Sequence, residues 1–352
     1  MTDPNGLRQA WPVPTAPRPI VIVGAGAIVR TAHLPAYQRL GFPIAGLYDV
    51  RRETADETAR QFGGLPVFAS LGAAATGNVV FDVAVPGAQI VPVLEQLPRG
   101  AAVLIQKPMG ENLATARRIL AICEDRRLVA AVNFQLRFSP NVMSLASLIA
   151  ADRLGALTDI EVRIVDRQPW QQWTFLKHVP RLEVLYHSIH YLDAIRWIAG
   201  EPHGVICRSI AHPLLPEFGD TRGTIVLDYG ERLRCSLVLN HAHRHDSRHR
   251  ESMMKVEGTA GAALMTLGVN LDYPAGPPDR LEVAFGEAWQ TVPLRGSWFT
   301  EAFEGPMSNL QRVVSGEDTA LVSPVADAIK TMALVEACYT SSAAGSTPIP
   351  AA

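Results

Sequence analysis

From Pro19 onward, short apolar runs alternate with segments that can form helices. The runs are PIVIVG, PIAGLYD, VVFDVAVP, AAVLIQ and LVAAVN, and the segments between them include Ala27–Leu40, Glu53–Phe62, Gln89–Leu97 and Leu113–Asp125. Short apolar runs are typical of buried strands. Strand–helix alternation with short loops predicts a parallel sheet covered on both faces. We therefore predict an α/β, doubly wound (Rossmann) domain over residues 19–134.

The pattern changes after this domain. A helical segment and the strand LTDIEVRIVDR precede a further helix, Glu183–Gly200. The next runs have little helix between them: HGVICRSIA, TRGTIVLDYG, RLRCSLVLNHAHR, SMMKVEGTAGAALMTL and RLEVAFG. Two helices, near Trp298–Ser315 and Pro324–Tyr339, close the pattern. We predict an α+β domain over residues 135–345 with a large open, mainly antiparallel sheet.

The two ends and the composition narrow the class of protein. Residues 1–18 are proline-rich and predict an extended arm, while residues 346–352 read as a tail. The net charge of −2 gives no basic field for nucleic acid or an anionic membrane, and no apolar run approaches a membrane span. The four cysteines are scattered, which favours a reducing compartment. Because the arm has no apolar signal-peptide core, we expect a cytoplasmic protein.

A glycine-rich turn follows the first predicted strand in VIVGAGAIVR. Gly24 and Gly26 match the first two glycines of G-x-G-x-x-G, and Val29 stands at the third position. The first glycine permits the tight turn, and the second lets a pyrophosphate approach the backbone. Asp49 ends the second strand, where a carboxylate can bind both ribose hydroxyls. The cofactor residues predicted here and at later strand ends are Gly24, Gly26, Ala27, Ile28, Asp49, Arg51, Pro86, Gln106 and Lys107.

Asp49 favours NAD, because a carboxylate repels a 2′-phosphate. Arg51 and Arg52 favour NADP, because an arginine there can bind that phosphate, although both can equally be solvated. We predict NAD, with NADP as the alternative.

The helix EVLYHSIHYLDAIRWIAG combines apolar faces with a polar stripe. Its members, which fall within about a third of the circumference at helical spacing, are Glu183, Tyr186, His187, His190 and Asp193. Buried polar groups are costly unless they are paired, so the stripe must face something. Lys107 follows a strand, at the end where ligands bind in such sheets.

The chain resembles the glucose–fructose oxidoreductase/inositol dehydrogenase (Gfo/Idh/MocA) family of NAD(P)-dependent oxidoreductases. The resemblance rests on GAGAIVRTAHLPAY, QKP, NFQLRFSP, HYLDAIRWIAG and VEGTAGAALM. It implies that the family's E-K-P lysine is Lys107 and that its D-x-x-x-H pair falls on Tyr186 and His190, with His190 handling the proton. It also implies hydride transfer at a hydroxyl carbon of a sugar or polyol, and a sheet whose outer face forms a homodimer or homotetramer interface.

Three positions depart from the family pattern. Gln106 replaces the motif glutamate, and Tyr186 replaces the paired aspartate. Ser188 stands two residues before the histidine, where the family usually has glycine or another small residue. Loss of the neighbouring carboxylate is expected to lower the pKa of Lys107 and favour a proton-accepting role. Tyr186 can donate a hydrogen bond to the substrate oxygen.

Other polar residues have open alternatives. Trp170, Trp173 and Phe175 can stack on a sugar or simply pack a loop, and Arg163, Arg167 or Lys177 can bind hydroxyls or a carboxylate. His187 is either a second imidazole in the same substrate site or a histidine that packs in the core with its polar atoms satisfied. Asp193 is expected to pair locally, and His33 to pack. The predicted substrate-binding residues are Lys107, Arg163, Trp170, Trp173, Tyr186, His187 and His190.

The strand-like stretch NHAHRHDSRHR places His241, His243 and His245 on one strand face. H-x-H spacing can bind a metal, but Asp246 lies on the other face, so we assign no metal and expect a pocket edge or a subunit interface.

These observations together predict an NAD-dependent oxidoreductase for a small sugar or polyol, with Lys107, His190 and Tyr186 catalytic. The alternatives are a non-catalytic dinucleotide-binding sensor, or an enzyme that uses the cofactor transiently for elimination or epimerisation.

Overall fold

The protein is described by a computed structural model covering residues 6–274 and 276–350, with only the backbone of Thr174 and His178. Residues 1–5 of the predicted arm and 351–352 of the predicted tail lie outside this description. The chain forms two compact units. The first comprises the described residues up to Ser147 together with Pro293–Met332, and the second comprises Leu148–Val292 with the described residues from Ala333 onward.

The strands and helices follow the predicted order closely. The strands are β1 Ile20–Val23, β2 Ile44–Tyr48, β3 Val80–Val83, β4 Ala102–Gln106, β5 Val129–Asn133, β6 Leu157–Val165, β7 Gly204–Ala211, β8 Asp220–Asp228, β9 Arg234–Asn240, β10 Glu251–Gly258, β11 Ala262–Thr266, β12 Arg280–Ala284 and β13 Trp289–Val292. The α-helices are α1 Leu34–Arg39, α2 Arg52–Gln61, α3 Leu71–Ala74, α4 Ile90–Leu94, α5 Leu113–Asp125, α6 Pro140–Ala150, α7 Ile189–Ala199, α8 Glu304–Val314 and α9 Val325–Ala344. The predicted fold class is confirmed.

The first unit contains a parallel sheet in the order β2-β1-β3-β4-β5. Every residue of β1, β3 and β4 is buried, which explains why these strands read as continuous apolar runs. The chain leaves β1 for β2 on one side and then places β3 on the other side. Ligands bind at the carboxyl ends of the strands beside such a reversal.

Residues 293–332 belong to the first unit, although the sequence division placed them with residues 135–345. The reason is the apolar face of α8, where Met307 and Leu310 are fully buried in the same core as Ile22 and Leu104. A division drawn along the sequence cannot show this return of the chain. The described part of the N-terminal arm packs on the same unit, because the Trp11 indole donates to Asp318 at 2.7 Å.

The second unit contains a sheet in the order β13-β12-β11-β10-β6-β9-β8-β7. Its pairs are antiparallel except for β6–β9, which is parallel. Burial alternates along β6, so Ile160, Val162 and Ile164 share the buried face. Strand β13 was not predicted, because three of its four residues are exposed and give no apolar run. Among the described residues, no helix is long and apolar enough to cross a membrane.

Candidate functional site

The glycine turn after β1 has two glycines with different environments. Gly24 has a φ of +95°, and a Cβ there would lie 2.4 Å from the carbonyl oxygen of Ala84. A Cβ at Gly26 would meet no atom within 4 Å. Gly24 is therefore required by the fold itself, whereas Gly26 leaves open space beside the backbone, as a bound phosphate group needs.

Val29, at the third glycine position, is fully buried and begins a π-helical turn, Val29–His33, before α1. The wider turn accommodates the β-branched side chain where the motif has glycine. Ala27 and Ile28 precede this turn and are partly exposed. All three belong to the helix start that faces a ligand in this kind of fold.

Asp49 follows β2 and is attached to the glycine turn. Its Oδ2 accepts a hydrogen bond from the backbone N–H of Ala25 at 2.9 Å, and its Oδ1 accepts from that of Arg51 at 2.8 Å. A carboxylate has about four lone-pair sites, so it retains capacity for ribose hydroxyls. The Arg51 side chain is exposed, and Arg52 pairs with Asp56 at 2.9 Å. Pro86, exposed after β3, lies at the same edge of the sheet.

Gln106 and Lys107 stand at the end of β4. Gln106 is buried, and its Oε1 has no hydrogen-bond partner among the residues described by the structure. Lys107 retains some exposed surface, yet desolvation lowers the pKa of its ammonium group to about 7. The cause is burial, so the expected effect of the missing motif glutamate on this pKa stays a prediction. Near pH 7 the Lys107 side chain therefore exchanges between its ammonium form and a neutral amine that can accept a proton.

His33 is fully buried, in agreement with the packing role expected for it. Its Nδ1 lies 2.7 Å from Oδ2 of Asp82, which also accepts a hydrogen bond from the Tyr37 hydroxyl at 2.8 Å. Burial, with Asp82 nearby, raises the pKa of Tyr37 well above its usual value. Asp82, which no sequence motif indicated, thus links two residues of the first helical stretch to β3.

The polar stripe of the second unit begins in a π-helical segment, Glu183–Ser188, that continues into α7. Glu183 is fully buried, and its Oε2 lies 2.5 Å from Nδ1 of His241. Its other oxygen accepts a hydrogen bond from the Ser188 hydroxyl at 2.6 Å. The first member of the stripe thus faces an imidazole from the end of β9, 58 residues away in the chain.

A second carboxylate, Asp166, lies on the other side of His241. Its Oδ1 is 3.8 Å from Nε2 of His241, and its Oδ2 accepts a hydrogen bond from Gln168 Nε2 at 3.0 Å. Desolvation, with Glu183 nearby, raises the pKa of Asp166 to about 7. Burial alone would lower the pKa of His241, but Glu183 and Asp166 outweigh this effect and raise it.

His187 joins this group, because its ring centroid lies 3.9 Å from that of His241 and its Nε2 lies 3.2 Å from Gln168 Nε2. Trp170 is buried against both imidazoles, with ring centroids 6.0 and 5.8 Å away. We call Asp166, Gln168, Glu183, His187 and His241 the imidazole cluster.

Tyr186 and His190 lie four residues apart and are both buried. The His190 ring is 6.4 Å from that of His187, and the Tyr186 ring is 5.8 Å from that of Phe175. Asp193 pairs locally, with its Oδ1 4.0 Å from Nη1 of Arg196, as predicted. The adjacent imidazoles of His187 and His190 can donate and accept protons at a bound hydroxyl.

Several predicted residues lie apart from the imidazole cluster. Arg163 alternates with the buried residues of β6 and pairs with Glu251 on the other face. Trp173 packs edge-on against Tyr273, with ring centroids 5.2 Å apart. The predicted shared strand face of His241, His243 and His245 is wrong, because β9 ends at Asn240 and only His241 is buried.

Sequence reasoning did not single out Asp166, Gln168 or the Glu183–His241 pair. The E-x-x-x-H spacing of Glu183 and His187 was a usable signal, since residues four apart share one helix face. His241 carried no comparable signal, because its partners lie far away in the chain.

Comparison with known proteins covers both parts of the chain. Residues 18–134 match the model of an oxidoreductase family with an NAD-binding Rossmann fold, and residues 142–264 match the model of a GFO/IDH/MocA C-terminal domain. D-apiose dehydrogenase from Paraburkholderia graminis is 24% identical, with 93% of this chain and 88% of that protein covered.

Two further proteins show how far these likenesses extend. The putative oxidoreductase YceM of Salmonella typhimurium is 28% identical over 51% of this chain, and the match spans only 56% of its length. An Agrobacterium radiobacter oxidoreductase, solved with NAD+, L-tartaric acid and magnesium, has a TM-score of 0.77 at 21% identity, covering 93% of this chain and 97% of that one. The structural likeness shows a shared fold.

The two glycines of the turn are expected to respond differently to an added methyl group. Gly24→Ala should lower the melting temperature by several degrees, since each kcal/mol lost shifts it by about 2–4 °C in a domain of this size. Gly26→Ala should leave melting unchanged but weaken NAD binding about tenfold or more, because the methyl occupies the space of the pyrophosphate. Thermal melts and NAD titrations of both variants test this, and unchanged NAD affinity in Gly26→Ala contradicts it.

Proposed function

The chain belongs to the GFO/IDH/MocA oxidoreductase family, as its motifs predicted, and we propose that it is an NAD-dependent dehydrogenase acting on a hydroxyl-bearing carbon of a sugar, polyol or sugar derivative. The observation that carries this proposal is Lys107, a lysine whose pKa is lowered to about 7 at the carboxyl end of β4. A general base works best when its pKa lies near the working pH.

The residues of the first unit fit a dinucleotide. Gly24 shapes the turn, the open space at Gly26 suits a pyrophosphate, and Asp49 is attached to the turn with acceptor capacity remaining. When bound, the nicotinamide accepts or supplies a hydride. The carboxylate of Asp49 favours a ribose with both hydroxyls and opposes a 2′-phosphate.

We assign proton handling to Lys107 and His190, with Tyr186 orienting the substrate oxygen. The neutral amine form of Lys107 takes the hydroxyl proton in the oxidative direction, and its ammonium form returns that proton in reduction. His187 and His190 provide imidazoles that bind hydroxyl groups, and Trp170 holds both His187 and His241 in place. The D-apiose dehydrogenase similarity over 93% of the chain supports a polyhydroxylated substrate.

A non-catalytic sensor is the main rival, because Gln106 and Tyr186 replace two charged residues of the family motif. A second rival uses the cofactor transiently, for elimination or epimerisation. Net NADH formation on a panel of sugars and polyols, with product analysis, separates dehydrogenation from both. Binding without turnover would favour the sensor, and turnover without net NADH would favour transient redox chemistry.

Asp49 is expected to select NAD. Wild-type protein should bind NAD more tightly than NADP in fluorescence titrations, and Asp49→Asn should reduce this preference because it removes the charge that repels a 2′-phosphate. Glu57→Gln, at an exposed position of α2, serves as the matched control. Tighter binding of NADP than of NAD by the wild type would contradict this prediction and would assign binding of the 2′-phosphate to Arg51 and Arg52.

Removal of the proton-handling groups is expected to slow hydride transfer. Lys107→Met and His190→Ala should each lower turnover about 10²–10⁴-fold, and His190→Ala should do so with little change in NAD affinity. Oxidation by the wild type should rise with pH through about 7, because deprotonation creates the Lys107 base, and this limb should vanish in Lys107→Met. Single-turnover rates across pH and thermal melts on the same samples test this. A stable, fully active His190→Ala would refute its role.

We infer a homodimer or homotetramer formed through the open face of the second unit's sheet. Ile206 of β7 and Val226 of β8 are directly opposite each other across the strand pair and are 71% and 38% exposed. Light scattering should show an oligomer that Ile206→Lys weakens, while Val50→Lys, at an exposed position of the first unit, should not. A wild-type monomer at micromolar concentration contradicts this assembly.

A further inference from the structure

The imidazole cluster has the composition and dimensions of a metal site. Glu183, His187 and His241 each offer one ligand atom, and these three atoms lie within 4.8 Å of one another. Glu183 and His187 are four residues apart in the π-helical segment, so both side chains lie on one face, and His241 joins them from just beyond β9.

We propose that these three residues bind a divalent transition-metal ion of the zinc type. Two imidazoles and one carboxylate form a known zinc ligand set in which a fourth position stays open for water or substrate. Soft thiolate ligands are absent from this set, and two nitrogen donors make Mg²⁺ or Ca²⁺ poor candidates. Metal binding by these residues is a property separate from hydride transfer and does not depend on it.

The residues behind the three ligands support the same assignment. His241 turns its Nδ1 toward Glu183, while its Nε2 lies 3.8 Å from Oδ1 of Asp166. Nε2 of His241 and Oδ1 of Asp166 are both buried, and neither has a hydrogen-bond partner among the described residues. A metal-binding histidine usually presents its second ring N–H to a carboxylate, which fixes the ring orientation. Asp166 occupies that position, held in turn by Gln168.

Charge balance favours a cation at this place. Glu183 and Asp166 are both fully buried, and His241 is the imidazole between them. Buried carboxylates are costly unless they are paired or bind a metal. An ion would replace the Glu183–His241 hydrogen bond, while the Ser188 hydroxyl would continue to hold the other Glu183 oxygen.

An ion also needs a path into the site. Glu183 and His241 are almost completely enclosed, but His187 retains part of its surface exposed. His187 therefore provides the side from which an ion can enter. The nearby ring of His190 lies 6.4 Å from that of His187.

The test measures metal binding to the full chain without reference to activity. Chelator-treated protein is refilled with Zn²⁺ or Co²⁺ and assayed by elemental analysis, competition titration and visible absorption of Co²⁺. We expect one ion per chain, with binding weakened by more than about 100-fold in His187→Gln, His241→Gln and Glu183→Gln. Asp166→Asn should weaken binding by about 10–100-fold, the usual effect of losing such a supporting partner.

His243→Gln is the matched control, because His243 lies two residues from His241 in an exposed loop next to His245. It should bind metal like the wild type. Failure of the wild type to bind either ion at micromolar concentrations overturns the proposal, as does binding that survives in the three ligand variants or is lost in His243→Gln.

A second measurement avoids variants that fail to fold. X-ray absorption on the zinc-loaded wild type counts the ligands directly. Two imidazoles with one carboxylate support the site, and a shell with one imidazole or none overturns it. Because neither measurement uses a sugar or NAD, an inactive enzyme that binds zinc would refute only the proposed dehydrogenase function.

Discussion

The second unit depends on how the buried carboxylate of Glu183 is balanced. An unpaired charge at such a position costs several kcal/mol, and the imidazole of His241 compensates it at 2.5 Å. This pair joins the π-helical segment to the end of β9, while Asp166 adds the end of β6. The parallel pairing of β6 with β9 brings these two strand ends to the same edge of the sheet. The helix that carries Tyr186 and His190 is therefore fixed at its start by an electrostatic contact as well as by packing.

The first unit also contains ionisable side chains that are largely removed from water, and it accommodates them in two ways. Asp82 is buried, and His33 and Tyr37 both contact its Oδ2, while its Oδ1 has no hydrogen-bond partner among the described residues. Lys107 instead follows Gln106, which adds no charge, and its pKa falls to about 7 by desolvation. The first arrangement joins the start of the first helix to β3 through hydrogen bonds, whereas the second places a titratable amine within the physiological range. Burial thus has opposite outcomes at these two positions of the same unit.

Local patterns predicted most of the fold. Helix α5 spans Leu113–Asp125 as predicted, with the Asn112 side chain accepting from Thr115 at its start. The strands of the parallel sheet were found to within a few residues, because burial on both faces leaves continuous apolar runs. The return of α8 to the first unit and the Glu183–His241 pair are non-local, and no pattern in one segment contains them. The histidines after β9 illustrate the limit, since their spacing suggested a shared face that the chain does not form.

The π-helical segment has a consequence for the register of the helix that follows it. Successive residues of an α-helix are about 100° apart, and a π-helical turn holds one residue more than an α-turn. Deleting one residue between Glu183 and His187 would return the segment to α spacing. Because the extra residue is accommodated within the turn itself, Glu183 would keep nearly the same angle relative to α7, and its carboxylate would still face His241. Removal of one residue here would therefore leave the direction of His190 relative to Glu183 almost unchanged.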